Sequence, residues 1–286
     1  MDKHYIESLE SELTQNAKLK NIENDVKIYR NTNLEELLLK TGYEDERIKT
    51  FVTDSEKYYN EHGELEVNEG MFDLYSTQIK NDVVSSVVTK GKEVIYLLGL
   101  PGSGKSSSLN LISKRYGGRS FYLIDADIFK EGKIKKDGVE IISPIANKDN
   151  NGIDIESIHE ASSILAKFIT ELLSANDYNI ALPKVGDNID KLREIIVHLK
   201  QKGYKIYIHF LYTSVETALK RNVERFLKAT NDKERRRLVP GKYIYEVGYK
   251  PLYNFMLLIK DDICDDYALW DAERCKIGQP VLLISK

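Results

Sequence analysis

The chain has 286 residues, 42% of them hydrophobic, and 42 Lys+Arg against 45 Asp+Glu give it a net charge of −3. That length and apolar content suit one large globular domain or two smaller ones, and no apolar run approaches the roughly 20 residues that cross a bilayer. The two cysteines, Cys264 and Cys275, are too few for a disulfide framework or a zinc site, and the start Met1-Asp2-Lys3-His4-Tyr5-Ile6-Glu7 lacks the basic-then-apolar profile of a secretory leader. A cytoplasmic protein with reduced thiols and no membrane partner is expected.

Charge is unevenly spread. Residues 1–90 hold 19 Asp+Glu and 11 Lys+Arg, a balance of −8, and the remainder carries +5. Tyr5, Leu9 and Leu13 recur at helical spacing, and Asn33 can cap a short helix holding Leu34, Leu37 and Leu38. Tyr58-Tyr59-Asn60-Glu61-His62-Gly63 reads as a turn, and Phe72, Tyr75, Ile79, Val83 and Val87 form an apolar stripe of four helical turns. Nothing in residues 1–90 has catalytic spacing. The segment reads as an acidic helical domain, set apart from a body spanning 91–286.

From residue 91 strands and helices alternate, which predicts an α/β fold: a mostly parallel sheet flanked by helices. Glu93–Leu98 is an apolar, partly β-branched strand, followed by strands at Phe121–Ile124, Ile180–Leu182, Lys205–Leu211 and Val281–Ile284. Between them, Ile155, Ile158, Ala161, Leu165, Phe168, Ile169 and Leu172 mark a long amphipathic helix. Ile189, Leu192, Ile195, Ile196 and Leu199 mark another, closed by Gly203. His209 sits in an apolar strand and is expected to be a satisfied core residue. In such sheets ligands gather at the carboxyl ends of the strands.

At the end of the first strand, Gly99-Leu100-Pro101-Gly102-Ser103-Gly104-Lys105-Ser106 fits GxxxxGK[ST] at every fixed position, and Ser107 continues into a helix. Glycines turn backbone N–H groups inward, the helix N-terminus adds positive potential, and Lys105 meets the outer phosphates. The Ser106 hydroxyl is placed to hold Mg²⁺. The pattern predicts a bound nucleoside triphosphate, with Gly99, Pro101, Gly102, Ser103, Gly104, Lys105, Ser106 and Ser107 around its phosphates.

Asp125 and Asp127 follow the second strand, where a phosphoryl-transfer site needs a carboxylate to orient an acceptor hydroxyl and take its proton. Arg221 and Arg225 lie four apart on one helix face. Arg235-Arg236-Arg237 follows in a polar stretch suited to a lid that closes cations over a transferring phosphate.

These pieces together resemble the zeta-toxin family of P-loop kinases over about residues 91–240. The resemblance rests on Leu-Gly-Leu-Pro-Gly-Ser-Gly-Lys-Ser at 98–106, Ile-Asp-Ala-Asp-Ile-Phe-Lys at 124–130, Tyr-Asn-Ile at 178–180, Val-Glu-Arg-Phe at 223–226 and Arg-Leu-Val-Pro at 237–240. It implies an enzyme that uses ATP and Mg²⁺ to phosphorylate the 3′-hydroxyl of UDP-N-acetylglucosamine and so starves cell-wall synthesis. It further implies Asp127 as general base, Lys105 as phosphate ligand, and Arg225 and Arg237 as phosphate clamps. Where the family often has a Gly-Thr-Gly-Arg-like turn, this chain has Pro183-Lys184-Val185-Gly186-Asp187-Asn188. Asp125, Asp127, Glu160, Lys184 and Asp187 are the candidate substrate contacts, with Glu160 standing for the family's helix glutamate and Glu156 second. The resemblance also brings in an inhibitory antitoxin, here expected to be either a separate protein or the acidic segment 1–90 acting in cis.

Two other readings stay open. One is a P-loop kinase for another hydroxyl, such as an antibiotic or a polynucleotide 5′-end. The absence of a basic-aromatic stripe counts against nucleic acid. The other is an ATP-binding regulator without transfer, which would need no base.

Overall fold

The computed structural model describes residues 4–62, 70, 72–73, 76–77, 81, 88–127, 133–136, 139–142, 155–231 and 238–286. The sheet is built first from strands that are buried on both faces. Strand β1 (Glu93–Leu98) is buried throughout, as a central parallel strand covered by helices must be. Around it stand β2 (Tyr122–Leu123), β5 (Ile180–Lys184), β6 (Lys205–Tyr212), β7 (Asp266–Asp271) and β8 (Val281–Ser285), in the order β2-β5-β1-β6-β7-β8. All neighbours pair in parallel except β7 with β8. The expected α/β fold is therefore present. A separate antiparallel pair, β3 (Lys133–Lys136) and β4 (Val139–Ile142), was not anticipated.

Crossover helices follow the strands: α5 (Lys105–Ser113), α6 (Ile155–Ser174), α7 (Ile189–Gln201) and α8 (Val215–Asn231). Helix α7 starts at Asn188, whose side chain accepts from Lys191 N, and Gly203 beyond its end has φ +84, as expected of the residue that stops it. Two further helices, α9 (Gly241–Val247) and α10 (Lys250–Lys260), precede β7. Among the described residues no helix is long and apolar enough to cross a membrane.

The front of the chain forms α1 (His4–Thr14), α2 (Lys20–Asn31), α3 (Leu34–Thr41) and α4 (Glu46–His62). Asn33 caps α3 through Glu36 N, as predicted. The expected turn at Tyr58–Gly63 is corrected as far as it is described, because α4 runs through Tyr58 to His62. Tyr, Asn, Glu and His differ little in helix propensity, so nothing before Gly63 stops the helix. Most of the apolar stripe from Phe72 to Val87 lies outside the described residues, although Phe72 packs edge-on against Phe168 of α6.

The core is continuous across residue 90. Ile6, Leu9, Leu13 and Val26 of the front helices belong to the same buried cluster as Tyr96 and Ile208 of the sheet and Phe226 of α8. Tyrosine hydroxyls join the same elements: Tyr29 donates to Tyr245 O at 2.6 Å, Tyr245 to Thr32 O at 3.0 Å, and Tyr212 to Asp25 Oδ2 at 2.7 Å.

His209 is a core residue, as expected. Trp270 Nε1 donates to its Nδ1 at 2.9 Å, so the ring proton sits on Nε2 and points to Tyr116 Oη at 2.6 Å. Tyr116 in turn donates to Asp266 Oδ2. Burial pushes the His209 pKa down to about 3.

Candidate active site

The phosphate loop leaves β1 at Gly99, and its backbone dictates its composition. Gly99 has φ +145, and a Cβ there would lie 2.5 Å from Leu211 O and 2.8 Å from Ser103 Oγ. Only glycine fits between β1 and β6 at this point. Gly104, with φ +81, caps the N-terminus of α5, which leaves the first N–H groups of the helix for an anion. Ser103 is buried, and its Oγ has no hydrogen-bond partner among the described residues.

Lys105 opens α5 and bends back over the loop, donating to Gly99 O and Leu100 O, each at 2.9 Å. Those two carbonyls hold the ammonium over the cradle that the loop encloses. Ser106 Oγ donates to Asp125 Oδ2 at 2.8 Å. The other Asp125 oxygen accepts from Asp127 N at 3.1 Å, which sets Asp127 at the start of a helical turn beyond β2. The two aspartates thus differ in surroundings. Asp125 faces the serine of the phosphate loop, and Asp127 stands one step further out.

Lys184 ends β5 in register with Leu98, the last residue before the phosphate loop. Burial lowers its pKa, and the nearby Asp125 carboxylate partly offsets this. The turn after it is bound to the same loop, since Gly99 N donates to Val185 O at 3.3 Å. Asn254 of α10 steadies that turn by donating to Gly186 O and Asp187 O, and the Asp187 carboxylate meets the Tyr243 hydroxyl.

On α8, Arg221 reaches the phosphate loop directly: Nη1 donates to Gly102 O at 3.4 Å and Nη2 to Ala272 O at 2.9 Å. The sequence paired it with Arg225 by spacing without assigning it to the site. One turn on, Arg225 Nη2 donates to Asn222 Oδ1 at 2.8 Å. The segment between β7 and β8 closes the far side of the loop, with Ile277 Cγ2 3.6 Å from where a Gly104 Cβ would be. Glu273 in that segment accepts from Ser214 N, Ser214 Oγ and Thr217 Oγ1 at the start of α8. Neither Glu273 nor Ile277 stands in a motif that spacing could reveal.

Lys105, Ser106, Asp125 and Lys184 are therefore brought together at the carboxyl ends of β1, β2 and β5. Glu160 is exposed on α6 and makes no hydrogen bond or ion pair to them among the described residues. The side chain of Glu156 and the whole of Arg237 lie outside the described residues.

The sequence matches the profile of the Zeta toxin family over residues 80–255. No curated protein matches it. Among solved structures it is similar to one from the PezAT chromosomal toxin–antitoxin system of the human pathogen Streptococcus pneumoniae, at 15% identity and a TM-score of 0.58. That likeness covers 77% of this chain and 82% of the other. A looser one, at 17% identity and a TM-score of 0.46, is to AvrRxo1-ORF1:-ORF2 with ATP, covering 76% of this chain and 63% of that one. The family match spans more than half of the chain and takes in the phosphate loop, both aspartates and Arg225, so the chain belongs to the zeta toxin family, whose members are ATP-dependent kinases.

Proposed function

We propose that this kinase transfers the terminal phosphate of ATP to the 3′-hydroxyl of UDP-N-acetylglucosamine or a related nucleotide sugar, and so blocks cell-wall synthesis. The observation that carries the reading is the hydrogen bond from Ser106 of the phosphate loop to Asp125, which brings the end of β2, and with it Asp127, to the mouth of the phosphate cradle. Phosphoryl transfer asks for positioning and charge neutralisation more than covalent chemistry, and these residues supply both.

The N–H groups of the loop and α5 bind the phosphates, while Lys105 exchanges its hold on Gly99 O and Leu100 O for the outer phosphate oxygens. Asp127 accepts the proton of the acceptor hydroxyl as that oxygen attacks. Arg225 and Arg237 neutralise charge on the transferring group. A hydroxyl and a carboxylate suit a hard cation, so Ser106 and Asp125 would hold Mg²⁺. When bound, the ion supplies charge neutralisation at the phosphates. Lys184, half-buried beside Asp125, favours an acceptor that itself carries negative charge, as a nucleoside diphosphate sugar does. Asp187 and Glu160 are proposed to complete the acceptor side.

We assign restraint of the kinase to a separate antitoxin and not to helices α1–α3. Ile6, Leu9, Leu13, Val26 and Leu37 of those helices are buried in the shared core, so swinging them away to release the site would expose that core.

ADP release measured with and without UDP-N-acetylglucosamine, followed by mass spectrometry of the sugar, tests the proposal. Acceptor-dependent ADP with one new phosphate at the 3′-position is expected. Transfer to a polynucleotide 5′-end or an antibiotic instead would replace the proposed acceptor, and ATP binding without transfer to any of them would favour the regulator.

A further inference from the structure

Tyr43 lies outside the span matched by the family profile, yet its hydroxyl meets Asn222, the side chain that holds Arg225. Helix α3 ends at Gly42, whose φ of +87 turns the chain so that Tyr43 enters the groove between α8 and α9. Its ring is accommodated because residue 241 is glycine: a Cβ there would lie 3.0 Å from Tyr43 Cε1 and 2.5 Å from Leu38 Cδ2. Tyr43 Oη donates to Val239 O at 2.9 Å and accepts from Asn222 Nδ2 at 2.5 Å.

Asn222 is fully buried, and Val239 and Arg225 fix its amide in one orientation. Its Nδ2 also donates to Val239 O at 2.8 Å, while its Oδ1 accepts from Val239 N at 3.4 Å and from Arg225 Nη2 at 2.8 Å. A flipped amide would set its oxygen against the Val239 carbonyl and its NH₂ against the guanidinium, both repulsive. One hydroxyl from the front helices therefore bridges Asn222 Nδ2 and Val239 O, and so holds in place the amide that grips Arg225.

We propose that Tyr43 is a positioning residue for phosphoryl transfer, holding Arg225 through Asn222 and Val239. This rests on the reading above that Arg225 acts on the phosphates. Burial pushes the Tyr43 pKa up to about 12, so the hydroxyl keeps its donor proton throughout the working range. The family-matched body thus depends on a side chain that the front of the chain supplies.

Two measurements on the full chain test this, using Tyr43→Phe, which keeps the ring and removes only the hydroxyl. The first needs no acceptor and no turnover. The side-chain ¹⁵N resonance of Arg225, assigned by its loss in Arg225→Ala, is expected to shift in Tyr43→Phe, with faster exchange of Nε–H. An unchanged resonance overturns the proposal whether or not the chain is a kinase. The second follows ADP release with UDP-N-acetylglucosamine. Tyr43→Phe is expected to lower kcat about 10-fold, the scale of a small misplacement of a phosphate ligand, while KM for ATP changes less than about twofold. In the Arg225→Ala background the same substitution is expected to cost nothing further. An equal loss in both backgrounds would mean that Tyr43 acts only on folding, and an altered Arg225 resonance with normal kcat would remove its role in transfer.

Discussion

The phosphate loop and the seam between the front helices and α8–α10 are built on opposite principles. At the loop, backbone geometry sets the residue types: Gly99 and Gly104 sit at φ +145 and +81, where side chains strain or collide, and Lys105 is tied to carbonyls five and six residues away. At the seam, side chains reach backbone far away in sequence, as Tyr43 donates to Val239 O and Tyr29 to Tyr245 O, and no local conformation demands them. The loop is thus a local device that any chain can carry as a short motif. The seam is made of long-range pairings, and it packs the front helices into the same buried cluster as the sheet and α8.

Breaking the loop should have the largest effect. Lys105→Ala removes the cation aimed at the outer phosphates and is expected to cost about 10³-fold or more in turnover, with the thermal midpoint little changed. Next come the aspartates. Asp127→Asn should lower kcat about 10²-fold with ATP affinity nearly intact, as loss of a general base does. Asp125→Asn should instead shift the Mg²⁺ concentration that gives half-maximal rate, because its carboxylate meets Ser106. Equal, small effects of the two substitutions would make both carboxylates structural.

The seam is probed through stability. Leu9 is fully buried in the shared core, so Leu9→Ala is expected to cost about 2–5 kcal/mol in a denaturant titration of the full chain. A cost under ~1 kcal/mol would mean that the front helices are only loosely applied. The last probe is His209, buried in β6. Its pKa falls from the ordinary 6.5 to about 3 because burial disfavours the charged ring. The unfolded chain therefore takes up the proton first. The contribution is whole above about pH 6.5 and is lost as pH falls towards 3, by up to about 1.4 kcal/mol per unit. His209→Gln should flatten that part of the stability–pH profile, even while lowering stability at pH 7.

The contrast also explains what could be read from residues alone. The phosphate loop, its strand and helix, the aspartates after β2 and the cap at Asn33 were legible because each is a local pattern with a local cause. Asp266–Asp271 was not, since β7 is a short strand bounded by acids at both ends, and its pairing with β6 and β8 is what makes it a strand. Arg221 was legible as a partner of Arg225 by spacing, but its contact with Gly102 O depends on how α8 crosses the loop. Charge balance suggested an acidic segment that restrains the body, whereas the apolar positions of the same helices bind them into it.

The most direct test of that last point is to remove the front of the chain. A protein beginning at Lys90 keeps every strand of the six-stranded sheet and the whole phosphate loop. It loses Tyr43 and the helices that cover α8, α9 and α10. Its thermal unfolding and its ADP release with UDP-N-acetylglucosamine should be compared with those of the full chain. The account predicts a weakened or absent cooperative melt and a turnover well below that of the full chain. A truncated protein that melts cooperatively, binds ATP and turns over as fast as the full chain, or faster, would contradict it.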